Sequence, residues 1–228
     1  MQSVLFVVAH PDDVAFGMGG IAWLLREKFD LHLLCATKGE RGIPGRDLSE
    51  AGTIREQEKK TECALLNANL TFLGRIDREL YADIETCQLV AAAILRIAPI
   101  ALFTLWPVDS HPDHSAISEI AKKAVFMAQK PTEIVYCEEG DGQTSHFTPS
   151  IYVDISGVIE KKLELMRCHA SQNKDDSLAQ ACLRKASRRG AEADCAYAEG
   201  YRSLACHGSD GLSIFSALDQ TRIIAQQR

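Results

Sequence analysis

The sequence predicts an α/β fold: a mainly parallel sheet with helices on both faces. Two observations predict it. Short apolar runs of strand length alternate with stretches of helical periodicity, and the first of these runs, Val4 to Val8, is unbroken by any polar residue. A strand covered on both faces reads this way, and repeated strand, helix, strand units pair in parallel through right-handed crossovers. The second observation is that two apolar runs, about a hundred residues apart, both end in the tripeptide His-Pro-Asp, at His10 and at His111.

The first strand runs from about Ser3 to Ala9. Gly17-Met18-Gly19-Gly20 opens a helix, Ile21 to Lys28, whose Ile21, Leu24 and Leu25 share one face. Asp30 to Ala36 is the second strand, and Thr37 to Gly45 is too rich in Gly and Pro for regular structure. A helix over Ser49 to Leu66 leads to a third strand, Asn69 to Leu73. Asp83 caps a helix that stops at Ile97, because Pro99 forbids continuation. The fourth strand, Ile100 to Leu105, precedes the second His-Pro-Asp, and Ser115 to Met127 is helical. Glu133 to Cys137 and Ile151 to Asp154 are strands five and six, separated by a polar loop, Gly140 to Pro149, with the character of a lid. Helices over Ser156 to Cys168 and Leu178 to Glu199 complete the covering layer, and Leu212 to Phe215 reads as a late strand. With no repeat or linker, residues 1–228 read as a single Rossmann-like domain. In such a sheet ligands bind beyond the carboxyl ends of the strands, where both His-Pro-Asp segments lie.

Composition narrows the function. A net charge of -6 and a pI near 5.7, without basic blocks interleaved with aromatics, argue against nucleic acid and for a small-molecule substrate. No apolar run reaches the roughly 18 residues of a membrane span, and Met1-Gln2-Ser3 leads straight into a strand, so the chain reads as cytoplasmic and is compatible with a homo-oligomer. The 8 cysteines include no C-x-x-C pair and read as reduced thiols packed as small hydrophobes. A metal is therefore to be sought among His and Asp. Two imidazoles and a carboxylate are a ligand set for a catalytic divalent ion that keeps one position open for water. Asp12 and Asp13 cannot both serve, since neighbours at a strand end point opposite ways; one binds and the other faces the bound water. A metal also offsets the repulsion between crowded carboxylates.

Ala9-His10-Pro11-Asp12-Asp13, the glycines at 17, 19 and 20, Thr37-Lys38-Gly39-Glu40, Ile54-Arg55-Glu56 and His111-Pro112-Asp113-His114 together resemble the LmbE-like, or PIG-L, family of zinc-dependent N-acetylglucosaminyl deacetylases. A weaker similarity to bacillithiol-type members follows at Val153-Asp154-Ile155 and His169-Ala170-Ser171-Gln172. The resemblance implies that His10, Asp13 and His114 bind the metal, zinc or else iron(II) or another divalent ion. It implies that Asp12 is the general base and that Arg55 binds substrate. His111 would stabilise the oxyanion or protonate the leaving amine, with Asp113 orienting it. The implied reaction is removal of an N-acetyl group from an N-acetylglucosamine-type sugar or conjugate, with metal-bound water attacking the amide carbonyl.

The chain departs from the family pattern at Val14 and Ala15, where members usually carry a Glu, and at Asp109, where the mycothiol branch has a tyrosine. The alternative function is accordingly a catalytically faded metal-binding protein of the same fold. A receiver-type magnesium site fits poorly, because Asn69 to Leu73 supplies no phosphoacceptor Asp and two imidazoles do not suit a hard cation. The glycines at 17 to 20 read as tight packing rather than a nucleotide loop. Arg55, taken by itself, reads as a solvated side chain; His146, His169 and Gln172 read as surface or helix-end residues, and His32 and His207 as carrying no role.

Overall fold

The computed structural model describes residues 1–140, 142–206, 213–219 and 221–223. Eight strands join one sheet: β1 (Ser3–Val8), β2 (Asp30–Thr37), β3 (Asn69–Arg75), β4 (Ala101–Leu105), β5 (Glu133–Cys137), β6 (Ile151–Asp154), β7 (Ala198–Leu204) and β8 (Thr221–Ile223). Their order is β3-β2-β1-β4-β5-β7-β6-β8. The first five are parallel, as the alternation predicts, whereas β7 runs antiparallel to both β5 and β6, and β8 antiparallel to β6. The helices are α1 (Gly19–Leu25), α2 (Leu48–Leu66), α3 (Ile84–Ile97), α4 (Pro112–Ala128), α5 (Ile159–Arg167), α6 (Ser177–Glu192) and a short α7 (Ser213–Ser216). α3 and α4 pack together against β1, and α5 packs on both α1 and α6.

β1 lies at the centre because every residue from Val4 to Val8 is fully buried. At about 1.5–3 kcal/mol for each large apolar side chain removed from water, this strand anchors the sheet. It pairs with β4 in register Val4 to Ala101, Leu5 to Leu102 and Phe6 to Phe103, and Phe6 stacks on Phe103 with ring centroids 5.0 Å apart. That register sets the two His-Pro-Asp segments side by side.

Three stretches differ from expectation. Leu178 to Glu199 is not one helix: α6 ends at Glu192, the chain reverses, and Ala198 to Leu204 forms β7. Ala-Glu-Gly-Tyr-Arg-Ser-Leu lacks strand alternation, and its extended form comes from pairing with strands on both sides. Ser213 to Phe215 is helical rather than a late strand, while Leu212, like His207, lies outside the described residues. Ile21 to Lys28 is shorter than expected because the helical path begins earlier, in a π-helical turn over Val14–Met18 that precedes α1 and leaves the helix ending at Leu25.

A buried ion pair accounts for that turn. Lys162 Nζ, fully buried, donates to the carbonyls of Ala15 and Phe16 at 3.2 and 2.7 Å and to Glu199 Oε1 at 2.6 Å. Glu199 in turn accepts from the N–H groups of Gly20 and Ile21 in the first turn of α1, at 2.8 Å each, and from the Tyr201 hydroxyl. Burial raises the Glu199 pKa, but Lys162 and the hydroxyl bond hold it below its ordinary value. Breaking a buried pair strands a charge at a cost of about 3–5 kcal/mol. Lys162→Met is therefore expected to lower the urea unfolding free energy by about that amount, and adding Glu199→Gln to recover part of it. An unchanged midpoint in the single variant would show that the pair does not hold the turn.

Candidate active site

The segment after β1 turns back on itself around one carboxylate. Asp13 Oδ2 accepts hydrogen bonds from the N–H groups of Ala9 and His10 at 3.0 and 2.9 Å, so its side chain closes the loop that carries it. Its other oxygen, Oδ1, lies 3.6 Å from His10 Nδ1 and 3.6 Å from His114 Nε2. Those two nitrogens face each other at 3.1 Å. Asp12 and Asp13 diverge, as expected, but by a helical turn and not by strand alternation, since β1 ends at Val8 and Asp13 has helical φ and ψ.

These three atoms fit a metal. Zinc bonds of about 2.0–2.1 Å in tetrahedral array place ligand atoms roughly 3.3 Å apart, close to the separations found. Two N–H groups facing each other at 3.1 Å would also crowd one another, a conflict that a shared cation in their place would remove. Two further convergent groups are His10, His111 and His114, and His10, Asp77 and Asp113. The second approaches the far nitrogen of His10: Nε2 lies 3.2 Å from Asp113 Oδ2 and 3.3 Å from Asp77 Oδ1. A carboxylate on the outer nitrogen of a ligating imidazole fixes its tautomer. His114 has the same support, with Asp109 Oδ1 3.3 Å and Gln143 Nε2 2.9 Å from its Nδ1.

Charges follow from these neighbours. Burial lowers the His10 pKa, yet Asp13, Asp113 and Asp77 lift it well above its usual value. For His114 burial is likewise overcome by Asp13 and Asp109, and the pKa rises to about 10. Asp13 is held well below the carboxylate range by His114 and His10 against the opposing effect of burial. Burial also opposes ionisation of Asp12, but Arg55, with help from His169 and His10, keeps its pKa low. His111 is depressed by burial and by the two neighbouring imidazoles.

Arg55 is buried rather than solvated, at 3% exposure. Its Nη2 donates to Asp12 Oδ1 at 2.5 Å and its Nη1 to the Gly39 carbonyl at 3.1 Å. The glycine-rich loop after β2 exists to admit it: Gly39 has φ of 64°, and a Cβ there would overlap the guanidinium. His111 is the N-cap of α4, its Nδ1 accepting from the Asp113 N–H at 3.3 Å. The Asp113 carboxylate reaches His10 and the Arg78 N–H, not the His111 ring. His169, expected near the surface, is fully buried with Nε2 2.9 Å from Glu62 Oε2. Gln172 donates to the Gly42 carbonyl at the cavity wall, while His146 is exposed and His32 pairs with Asp30. None of the 8 cysteines, all of them among the described residues, forms a disulfide.

These groups line a cavity of about 450 Å³ that holds His10, Asp12, Asp13, Arg55, His111 and His114 together. Sequence reasoning missed Asp77, Glu139 and Gln143, and it noted Asp109 only for the tyrosine it replaces. Asp77 follows β3 and Glu139 follows β5, so the rule that sites gather at strand carboxyl ends would have found both.

A family model described as PIG-L, GlcNAc-PI de-N-acetylase, matches residues 5–125, more than half of the chain. The protein belongs to the PIG-L family. As a member it is 28% identical over 184 residues to a probable N-acetyl-alpha-D-glucosaminyl L-malate deacetylase 2 of Bacillus subtilis, covering 75% of this chain and 83% of that one. It is 26% identical over 233 residues to the 4-oxalmesaconate hydratase of Pseudomonas putida, covering 89% of each. Among solved structures, N,N'-diacetylchitobiose deacetylase from Pyrococcus horikoshii superposes with a TM-score of 0.82 at 25% identity, over 90% of this chain and 84% of that one. In this PIG-L family member the convergent His and Asp groups, including those at the ends of β1 and β4, are ones that could hold a metal ion.

The raised pKa values have a measurable consequence. Protonated imidazoles must lose their protons to ligate, so metal uptake by the PIG-L protein at neutral pH is expected to release protons and to weaken as pH falls from about 8 to about 6. Calorimetry in buffers of different ionisation enthalpy measures both effects. Affinity independent of pH and buffer would rule out ligation by His10 and His114.

Proposed function

We propose that this protein, as one domain over residues 1–228, removes the acetyl group from an N-acetylglucosamine-type sugar or sugar conjugate. The observation that carries the reading is the cage of His10, Asp13 and His114 with Asp12, a half-buried carboxylate held in its ionised form by Arg55, beside it in one cavity. His10, Asp13 and His114 would hold the metal, zinc by preference for mixed nitrogen and oxygen ligands, with iron(II) as an alternative. When bound, such an ion lowers the pKa of water and polarises a carbonyl.

The chain's own residues do the rest. Asp12 takes the proton of the attacking water as general base, and Arg55 fixes its orientation and keeps it ionised. Arg55 lines the cavity and, beyond its bonds to Asp12 and Gly39, would help to bind the substrate there. His111, at the cavity edge, stabilises the oxyanion or passes a proton to the leaving amine. Asp113 orients His10. Because Asp12 stays charged well into acid, the loss of activity at low pH arises from protonation of His10 and His114.

A second reading is water addition, favoured by the hydratase relative, which aligns over a longer stretch than the deacetylase. Release of acetate from N-acetylglucosamine and its glycosides, compared with consumption of 4-oxalmesaconate, separates the two. Under the deacetylase reading Asp12→Asn reduces turnover by about 100-fold or more with metal retained, whereas Asp13→Ala loses metal as well. An Asp12→Asn protein as active as the parent would remove Asp12 from the mechanism.

A further inference from the structure

Glu139, two residues beyond β5, is a buried carboxyl group with an oxygen that finds no partner among the described residues. It is 5% exposed, lines the cavity shared by His114 and Asp13, and its Oε1, buried, has no hydrogen-bond partner among the described residues. Oε1 is packed against the π-helical turn so closely that a Cβ on Gly17 would overlap it. The turn carries no acid of its own at Val14 or Ala15; the carboxyl that meets it arrives from another strand. The nearest cation does not compensate. Lys185 Nζ donates instead to the main-chain carbonyls of Glu138 and Glu139, at 3.0 and 3.1 Å.

A buried carboxyl left unpaired is destabilising, and folded proteins keep such groups where a ligand completes them. The surrounding backbone holds Glu139 in place despite that cost. Its N–H donates to Thr144 Oγ1 at 2.9 Å, and the Thr144 hydroxyl donates to Asp109 Oδ2 at 2.7 Å. Asp109 is the residue behind His114, so Glu139 is keyed to the same scaffold as the metal cage. Burial pushes its pKa well up, opposed by Lys185 and reinforced by Asp13, which makes it a neutral acid able both to donate and to accept.

We propose that Glu139 contacts the substrate, its carboxyl forming a hydrogen bond with a hydroxyl group of a sugar-type ligand seated in the cavity. It is a specificity-determining residue, and only the choice of sugar as ligand rests on the deacetylase reading above.

The test uses Glu139→Leu and Glu139→Gln with three measurements: thermal midpoint, metal content, and binding of N-acetylglucosamine by calorimetry alongside acetate release. Glu139→Leu is expected to melt higher than the parent, because an unpaired buried carboxyl has been removed. It should keep its metal and bind N-acetylglucosamine at least 10-fold more weakly, with KM raised more than kcat falls. Glu139→Gln, which keeps a donor and an acceptor, should recover part of the affinity. A variant that melts lower and loses metal, or one that binds the sugar as the parent does, overturns the proposal. If the parent binds N-acetylglucosamine in a Glu139-dependent way but releases no acetate, the deacetylase reading fails and the contact stands. If the parent releases acetate and both variants match it in KM, the contact alone fails. A parent that does not bind the sugar overturns both.

Discussion

The site depends on the two oxygens of one carboxylate. Asp13 Oδ2 is consumed by the N–H groups of Ala9 and His10, which forces the chain leaving β1 to fold over its own side chain. Asp13 Oδ1 is thereby aimed at His10 and His114 from equal distance. A carboxylate that accepts backbone hydrogen bonds while facing two imidazoles is strongly held in its charged form, and a fixed charge at that point draws either protons or a metal to the imidazoles. Remove the backbone contacts and the ligand loses its direction; remove the imidazoles and a buried anion is left uncompensated.

Around this centre the protein spends buried charge freely, and each instance fixes a segment that carries chemistry. Lys162 and Glu199 hold the π-helical turn that follows Asp13. Arg55 crosses from α2 to Asp12 through a loop whose Gly39 makes room for it. Lys59 and His169 both reach Glu62 Oε2 in a fully buried group that ties α2 to the chain after α5. Such pairs contribute little net stability, because desolvation offsets most of the attraction, but a mispaired alternative would strand a charge. Their effect is to make one arrangement of the loops far better than its neighbours.

The central sheet was legible because β1, β2, β4 and β5 are largely buried on both faces and read as apolar runs bounded by turn and cap residues; Asp83, for instance, caps α3 as its position implies. The antiparallel end was not. β7 contains Glu199, Gly200 and Arg202, residues with poor strand propensity, and is extended because β5 and β6 supply hydrogen bonds on its two sides. The same limit applies to Arg55 and His169. Taken by itself Arg55 read as solvated, and His169 as a surface or helix-end residue, since burial of such side chains depends on partners, Asp12 and Glu62, that lie far away in sequence.

By itself the sequence determined the parallel core, the neighbourhood of the two His-Pro-Asp segments and the kinds of ligand they offer, because periodicity and residue chemistry are local properties of the chain. Only the tertiary structure decided which nitrogen of His10 faces His114, that the Asp113 carboxylate meets His10 while only its N–H reaches His111, and that Asp77, Asp109 and Glu139 surround the site. Those outcomes depend on distances of a few ångström between residues separated by tens to more than a hundred positions. Packing sets such distances, and no local pattern encodes them.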